Sequence, residues 1–309
     1  MSRRTAIIVV GFNRPDFLRD QLEFLSLHNI QNVIVSIDRN EEGVIDKEIQ
    51  HLSSQQYSNF TWRFRENNLG VGRHIPTVVS EVLIQFENCI VLEDDVRISA
   101  GALKSGLDIL STRLPEQYLT VGFFGGFWFK PWKRFLFGRN CWRETEYFSA
   151  WGWGIQRESW SKYNQTLDTE LIETELSKSK VWNRKSLKSK TRWLSRFMVV
   201  AESPNFTWDY QMQYATYISE SRHLLPIFST AENCGFEDLR STNTKSHKPR
   251  WNKSRKLESD IRPRFLRKGI KRQLLIIIDR ATWAGDSNFV FLLRTFREFL
   301  TRKLARNGN

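Results

Sequence analysis

The chain has 309 residues, enough for one large α/β domain with additions or for two modest ones. Its hydrophobic content of 40% excludes a disordered or fibrous chain, and no apolar run reaches the roughly 18 residues of a membrane-spanning helix. The net charge of +13 sits at one end: residues 1 to 244 hold 29 Lys+Arg against 29 Asp+Glu, whereas residues 245 to 309 hold 18 against 5.

In chain order, "TAIIVVGF" (5 to 12) reads as a buried strand, and its apolar run stops at Asn13-Arg14-Pro15 without the cleavage site of a signal peptide. A helix is expected from Pro15, with Phe17, Leu18, Leu22 and Leu25 on one face. "NVIVSID" (32 to 38) and "FTWRFRE" (60 to 66) give two further strands, a helix follows from about Gly72 to Phe86, and "CIVLED" closes the set. Strand and helix alternating in this way imply right-handed crossovers and a mainly parallel sheet covered on both faces. Ligands of such sheets bind beyond the carboxyl ends of the strands, where this chain places Asn13 and Arg14, then Asp38 and Arg39, then Glu93, Asp94 and Asp95.

Residues 118 to 155 are rich in Gly, aromatic and basic residues, as in a ligand-covering loop or a β-hairpin with a basic turn at Lys130 to Arg134. Trp151 and Trp153, two apart around Gly152, would share one face of a strand, with one able to stack on a sugar ring and the other in the core. Residues 176 to 193 read as a solvated basic segment or flexible connection, "NFTWDYQMQYATYIS" as a capped helix start, and "HLLPIFS" as a late strand. Cys89, Cys141 and Cys234 are odd in number and lack metal spacing, which favours a reduced, intracellular setting. His74, His223 and His247 show no zinc-site spacing.

The acidic triplet carries the chemistry. Three adjacent carboxylates behind a buried strand repel one another and call for a positive partner. A hard cation such as Mg²⁺ or Mn²⁺ suits them, because it binds through one or two carboxylates plus substrate phosphates and neutralises charge on a leaving diphosphate.

"VLEDDV" resembles the D-x-D type motif of GT-A glycosyltransferases, in the Glu-Asp-Asp form of the N-acetylglucosaminyltransferase I family and its bacterial relatives. "YFSAWGWGIQRESW" (147 to 160) is similar to that family's Phe-Pro-Gly-Leu-Gly-Trp segment, and "SPNFTWDYQM" (203 to 212) to its Trp-Asp-Asp-Trp segment. "LPIFSTAENCGFEDLRSTNT" has the family's Pro, Ser and Gly spacing, and "NNLGVGR" (67 to 73) resembles the Asn-x-Gly loop beside the nucleotide-sugar. The likeness spans residues 5 to 244 and implies a GT-A fold, Rossmann-like, in that part of the chain.

Carried over, it implies that Asp95 holds the metal, Mn²⁺ or Mg²⁺, while Glu93 and Asp94 face the sugar and ribose. Asp38 would accept from a uracil-type base and Arg14 would approach the diphosphate, with Asn68, Arg73, Trp151, Gly152 and Trp153 also on the donor side. Asp209 would be the general base for an inverting displacement. Trp-Asp-Tyr and Ala150-Trp151 depart from the family pattern where donor sugar and acceptor are sensed, which leaves the donor sugar open.

Residues 245 to 309 form a basic tail whose last helix repeats Phe289, Leu292, Phe296 and Leu300 between arginines, as in an element docked on an anionic membrane or packed on the catalytic body. The expectation is therefore an inverting, metal-dependent transferase using a nucleotide-diphosphate sugar, of UDP type, and a glycan or lipid-linked acceptor. It would work in surface polysaccharide or lipopolysaccharide synthesis, in the cytoplasm at the inner face of the cell membrane, without nucleic acid. Two readings compete: a nucleotidyltransferase making nucleotide-sugars, which expects a glycine-rich phosphate loop absent from "GFNRPDF", and a non-catalytic membrane-attached protein on a retired transferase fold.

Overall fold

The structure, a computed structural model, describes residues 4–40, 42, 44–125, 141–236, 238–240 and 264–265. In chain order they form β1 (Thr5–Gly11), α1 (Pro15–Leu27), β2 (Val33–Ile37), α2 (Lys47–His51), β3 (Thr61–Phe64), α3 (Val71–Gln85), β4 (Asn88–Glu93), β5 (Val96–Ile98), α4 (Ala100–Leu110) and β6 (Tyr118–Gly122). There follow β7 (Cys141–Thr145), β8 (Trp153–Gln156), α5 (Arg157–Trp160), α6 (Ile172–Lys178), α7 (Lys180–Asn183), α8 (Leu187–Glu202), α9 (Asp209–Ile218), β9 (Arg222–Pro226), β10 (Ala231–Asn233) and β11 (Arg264–Phe265).

Among the described residues one nine-stranded sheet runs β11-β7-β9-β6-β8-β4-β1-β2-β3. The strands β3, β2, β1 and β4 are parallel, as the repeated strand and helix pattern requires. Beyond them β8 enters antiparallel to both β4 and β6, β9 is parallel to β6, and β7 is antiparallel to β9. The fold is α/β with a large central sheet flanked by helices, the layering that the sequence implied. From the segment that composition set apart as a tail, β11 pairs with β7 and extends the sheet.

Side-chain alternation explains the two covered faces. Ile7 and Val9 of β1 join Leu18, Leu22 and Leu25 of α1 in one core, whereas Ala6, Ile8 and Val10 join Ile75, Val78, Val79 and Val82 of α3 in another. Register then levels the strand ends: Gly11 lies opposite Ile37, and Val10 opposite Glu93. Arg14, Asp38 and the acidic triplet consequently leave the sheet on one rim.

Two expectations are corrected. Residues 176 to 193 are not a solvated connection: they enter α6, α7 and α8, whose Val181, Trp182, Trp193 and Phe197 are buried in a third core with Tyr214 and Tyr217 of α9. Ser179 and Ser186 cap α7 and α8, accepting from Trp182 N and Ser189 N. Trp151 and Trp153 do not share a face either. Gly152 has φ +71°, a left-handed conformation that breaks the strand alternation. Trp153 is fully buried in the α3-side core, while Trp151 packs on the other side of the sheet. The stretch around Lys130 to Arg134 and nearly all of the tail lie outside the described residues.

Two buried imidazoles sit among hydroxyls: His74 Nε2 is 2.7 Å from Ser36 Oγ, and His223 lies 2.7 Å from Thr120 Oγ1 and 2.9 Å from Thr216 Oγ1. Burial pushes both down to about 3 from 6.5. Below pH 6.5 the unfolded chain binds protons that the native imidazoles refuse, so this stability is complete above 6.5 and lost as pH falls.

The urea midpoint should therefore drop between pH 6.5 and 4.5, and His223→Gln should lose less over the same interval than the parent protein. In the third core, Trp193→Ala should cost about 3–5 kcal/mol in urea unfolding. Leu187→Ala, at the exposed start of α8, should change stability by no more than about 0.5 kcal/mol.

Candidate active site

The site is built where β1 and β4 end. Asp94 N donates to Val10 O at 2.9 Å, so the triplet leaves β4 still tied to β1. Arg14, three residues past β1, turns its guanidinium onto two of the acids. Its Nη1 donates to Asp95 Oδ2 at 2.9 Å, its Nε to Asp94 Oδ2 at 3.3 Å, and its Nη2 to Asp94 Oδ1. Phe17 of α1 lies under the guanidinium at 5.3 Å. Burial works against Arg14's charge, but Asp94 and Asp95 outweigh it and hold its pKa above the usual value.

The acids are not splayed into solvent. Asp94 and Asp95 are 2% and 6% exposed, and Glu93 is half-buried. Burial, reinforced by Asp95 and Asp94, pushes Glu93 up to about 8; Asp94 is pushed up to about 6 by burial, against the pull of Arg14. Asp95 is divided: Oδ2 is held by Arg14, whereas Oδ1 is buried without a hydrogen-bond partner.

A second wall closes over this pair. β10 runs antiparallel to β5, and Cys234 N donates to Asp95 O at 2.7 Å. Gly235 then approaches so closely that a Cβ there would fall 2.3 Å from Asp95 Oδ2 and 3.0 Å from Arg14 Nη1. Further along, Arg240 donates to both oxygens of Asp16 at 2.7 and 2.9 Å, which fastens this segment to the first turn of α1. Arg97 donates to Asp94 O and to Phe17 O, fixing the turn after the triplet.

Asp38 is buried at the end of β2, and its carboxylate is engaged by backbone. Oδ1 accepts from Arg39 N and Leu69 N, each at 3.0 Å, and Oδ2 accepts from Leu69 N at 3.1 Å and Gly70 N at 2.8 Å. With three backbone donors it clamps the "NNLG" loop against the rim. Asn68 on that loop and Arg73 in the first turn of α3 are exposed.

Asp209 opens α9. Trp208, not a side-chain cap, precedes it, and Thr207 Oγ1 donates to Asp209 Oδ1. Trp208, the preceding residue, stacks on Trp153 at 4.9 Å and meets Phe148 edge-on at 5.3 Å, which anchors the start of α9 in the core. Burial raises the Asp209 pKa; the Thr207 hydrogen bond, its own backbone amide and Arg196 oppose that rise without cancelling it. The same charge makes a small contribution to lifting Glu93, after burial, Asp95 and Asp94. Trp151 meets Phe124 at 4.6 Å and Phe236 at 5.7 Å, beside the Gly235 wall, whereas Trp153 is a core residue.

The structure thus brings Arg14, Asp94 and Asp95 into direct contact beside Glu93, and no direct contact among the described residues joins Asp209 to them. Sequence reading missed Arg97, Arg196, Arg240 and Thr207. Among the described residues no group of three or more His, Cys, Asp or Glu side chains is placed to hold a metal ion. The orphan Asp95 Oδ1 beside Glu93 still fits Mg²⁺ or Mn²⁺, which keep waters and take substrate phosphates as ligands.

No family model matches the sequence, and no curated protein matches it. Solved structures align at low similarity. GalNAc-T7 with UDP, GalNAc and Mn²⁺ aligns over 75% of this chain and 44% of its own, at 9% identity and TM-score 0.45. A mannose-1-phosphate geranyltransferase from Thermus thermophilus aligns over 72% of this chain and 73% of its own, at 12% identity and TM-score 0.37. The glycosyltransferase GlyE from Streptococcus pneumoniae aligns over 73% and 45%, at 11% identity and TM-score 0.35. This chain therefore spans less than half of GalNAc-T7 and of GlyE, and likenesses so distant carry no activity across to it.

The clamp made by Asp38 has a direct check. Asp38→Ala would orphan the Leu69 and Gly70 amides, at about 1–3 kcal/mol for each buried donor. Amide exchange should speed up at Leu69 and Gly70 while the β1 amides stay protected; unchanged exchange at both loop amides would remove Asp38 from this role.

Proposed function

We propose that this chain transfers a sugar from a nucleotide-diphosphate sugar, of UDP type, to a hydroxyl acceptor, with inversion and with a divalent cation. It is the activity implied by the resemblance to the N-acetylglucosaminyltransferase I family. One observation carries it: Asp94 and Asp95 are buried on the rim beneath the guanidinium of Arg14, with one oxygen of Asp95 left without a hydrogen-bond partner.

Direct displacement at an anomeric carbon needs a base on the acceptor side and positive charge on the leaving side. Asp209 meets the first need. Its raised pKa makes it a stronger proton acceptor than an exposed aspartate, and Thr207 fixes one of its oxygens. Arg14 and Asp95 meet the second. Asp95 Oδ1 would hold Mn²⁺ or Mg²⁺, and a bound cation there would offset charge on the departing diphosphate. Glu93 and Asp94 would face the sugar and ribose, with Asn68, Arg73 and Trp151 nearer the nucleotide and donor sugar.

The acceptor is a glycan or lipid-linked hydroxyl. The basic residues of 245 to 309 would bring the enzyme to an anionic membrane, at its cytoplasmic face, where each Lys or Arg near the surface is worth about 1 kcal/mol.

The test separates binding from chemistry. In a panel of nucleotide-sugars with Mn²⁺, at least one should raise the melting temperature of both the parent protein and Asp209→Asn. Product formation by Asp209→Asn should fall by about 10²–10⁴. Near-normal transfer by Asp209→Asn would move the base elsewhere, and a panel without any stabilising nucleotide-sugar would overturn the proposal.

A further inference from the structure

Arg14 and the cation assigned to Asp95 claim the same carboxylates. Arg14 is 13% exposed at its side chain and spans both acids, with Nη1 on Asp95 Oδ2 at 2.9 Å and Nε and Nη2 on the two oxygens of Asp94. Asp95 keeps one oxygen on this guanidinium and leaves the other buried and unpartnered. Gly235 presses backbone against the Arg14 and Asp95 pair, so the guanidinium has little room to retreat while its partners stay in place.

Charge decides what can enter. Counting the directly paired groups alone, Arg14 against Asp94 and Asp95 leaves one net negative charge in a nearly closed setting, with Glu93 beside them and Arg97 on the Asp94 carbonyl. A divalent cation added alone would reverse that to one net positive charge beside a buried arginine, and an uncompensated buried charge is costly. A nucleoside diphosphate brings two negative charges as a sugar ester and about one more as free UDP, which offsets the added cation, and it offers the guanidinium a fork of oxygens in exchange for those of Asp94 and Asp95.

We propose that Arg14 is the resident cation of this site: it holds Asp94 and Asp95 against a divalent metal until a nucleoside diphosphate draws it off, so that metal and diphosphate enter together. The inference rests on the nucleotide-sugar reading and assigns that site an order of assembly. Arg14 serves as a positioning residue before the donor arrives and as a diphosphate ligand afterwards.

The experiment titrates Mn²⁺ into the full chain, following free Mn²⁺ by electron paramagnetic resonance, with and without UDP and corrected for Mn²⁺ bound to UDP in solution. The parent protein should hold Mn²⁺ weakly alone and about 10-fold or more tightly with UDP, within the usual range of coupling between sites. Arg14→Met should bind Mn²⁺ alone about 10-fold more tightly than the parent and gain less from UDP. Arg14→Lys, which keeps the charge but loses the fork, should fall between them, and it carries the test if Arg14→Met does not fold. Mn²⁺ affinity unchanged or weakened in both variants, with the parent still binding Mn²⁺ and UDP together, would overturn the exchange and leave the nucleotide-sugar reading standing. Absence of joint Mn²⁺ and UDP binding in the parent would overturn both.

Discussion

Three carboxylates at the end of one strand cannot share a buried rim without a counter-charge, and Arg14 supplies it from the end of the neighbouring strand. The placement of both partners follows from the parallel pairing of β1 with β4, which sets Val10 beside Glu93. The guanidinium covers Asp94 with two nitrogens and Asp95 with a third, yet leaves Asp95 Oδ1 unsatisfied and Glu93 lifted to about 8. A rim that is only partly neutralised is prepared to receive positive charge. It is poorly suited to serve as a rigid structural ion pair, because a buried pair contributes little stability once desolvation is counted.

The rest of the fold holds this arrangement in place. The two cores fix β1 and β4 from opposite faces, β5 and β10 bring the Gly235 wall across Asp95, and Arg240 fastens that wall to α1 through Asp16. On the far side, the third core of α6 to α9 supports the carboxylate that opens α9, and the Trp208 and Trp153 stack joins that helical layer to the sheet. Asp209 and the acidic triplet therefore belong to different elements of the protein, the start of α9 and the end of β4.

Much of this was legible in the sequence where the signal is local. Uninterrupted Ile and Val runs gave β1, β2 and β4, the spacing of Leu18, Leu22 and Leu25 gave α1, and the position of Glu93 to Asp95 behind "CIVL" marked the rim. What stayed hidden depends on contacts between distant positions. Arg14 meets residues 80 and 81 places away, and Asp38 meets amides 31 and 32 places on, so neither partner leaves a trace in local spacing. The α6 to α8 layer was masked by composition, since lysines and serines outnumber the tryptophans that anchor it. At Trp153 a single backbone angle, the positive φ of Gly152, defeated the two-residue alternation. The raised pKa of Asp209 likewise comes from its burial in the fold, which no local pattern reports.

Under the proposed function, the Asp95 carboxylate would grip a cation once the diphosphate is present. Crystals of the full chain grown with Mn²⁺ and UDP, measured at the manganese absorption edge, test it most directly. The account predicts an anomalous peak in coordinating contact with Asp95 Oδ1 and with the diphosphate, and Arg14 withdrawn from Asp95 onto a phosphate oxygen. Manganese bound away from the triplet, with Arg14 still on both aspartates beside bound UDP, would contradict it.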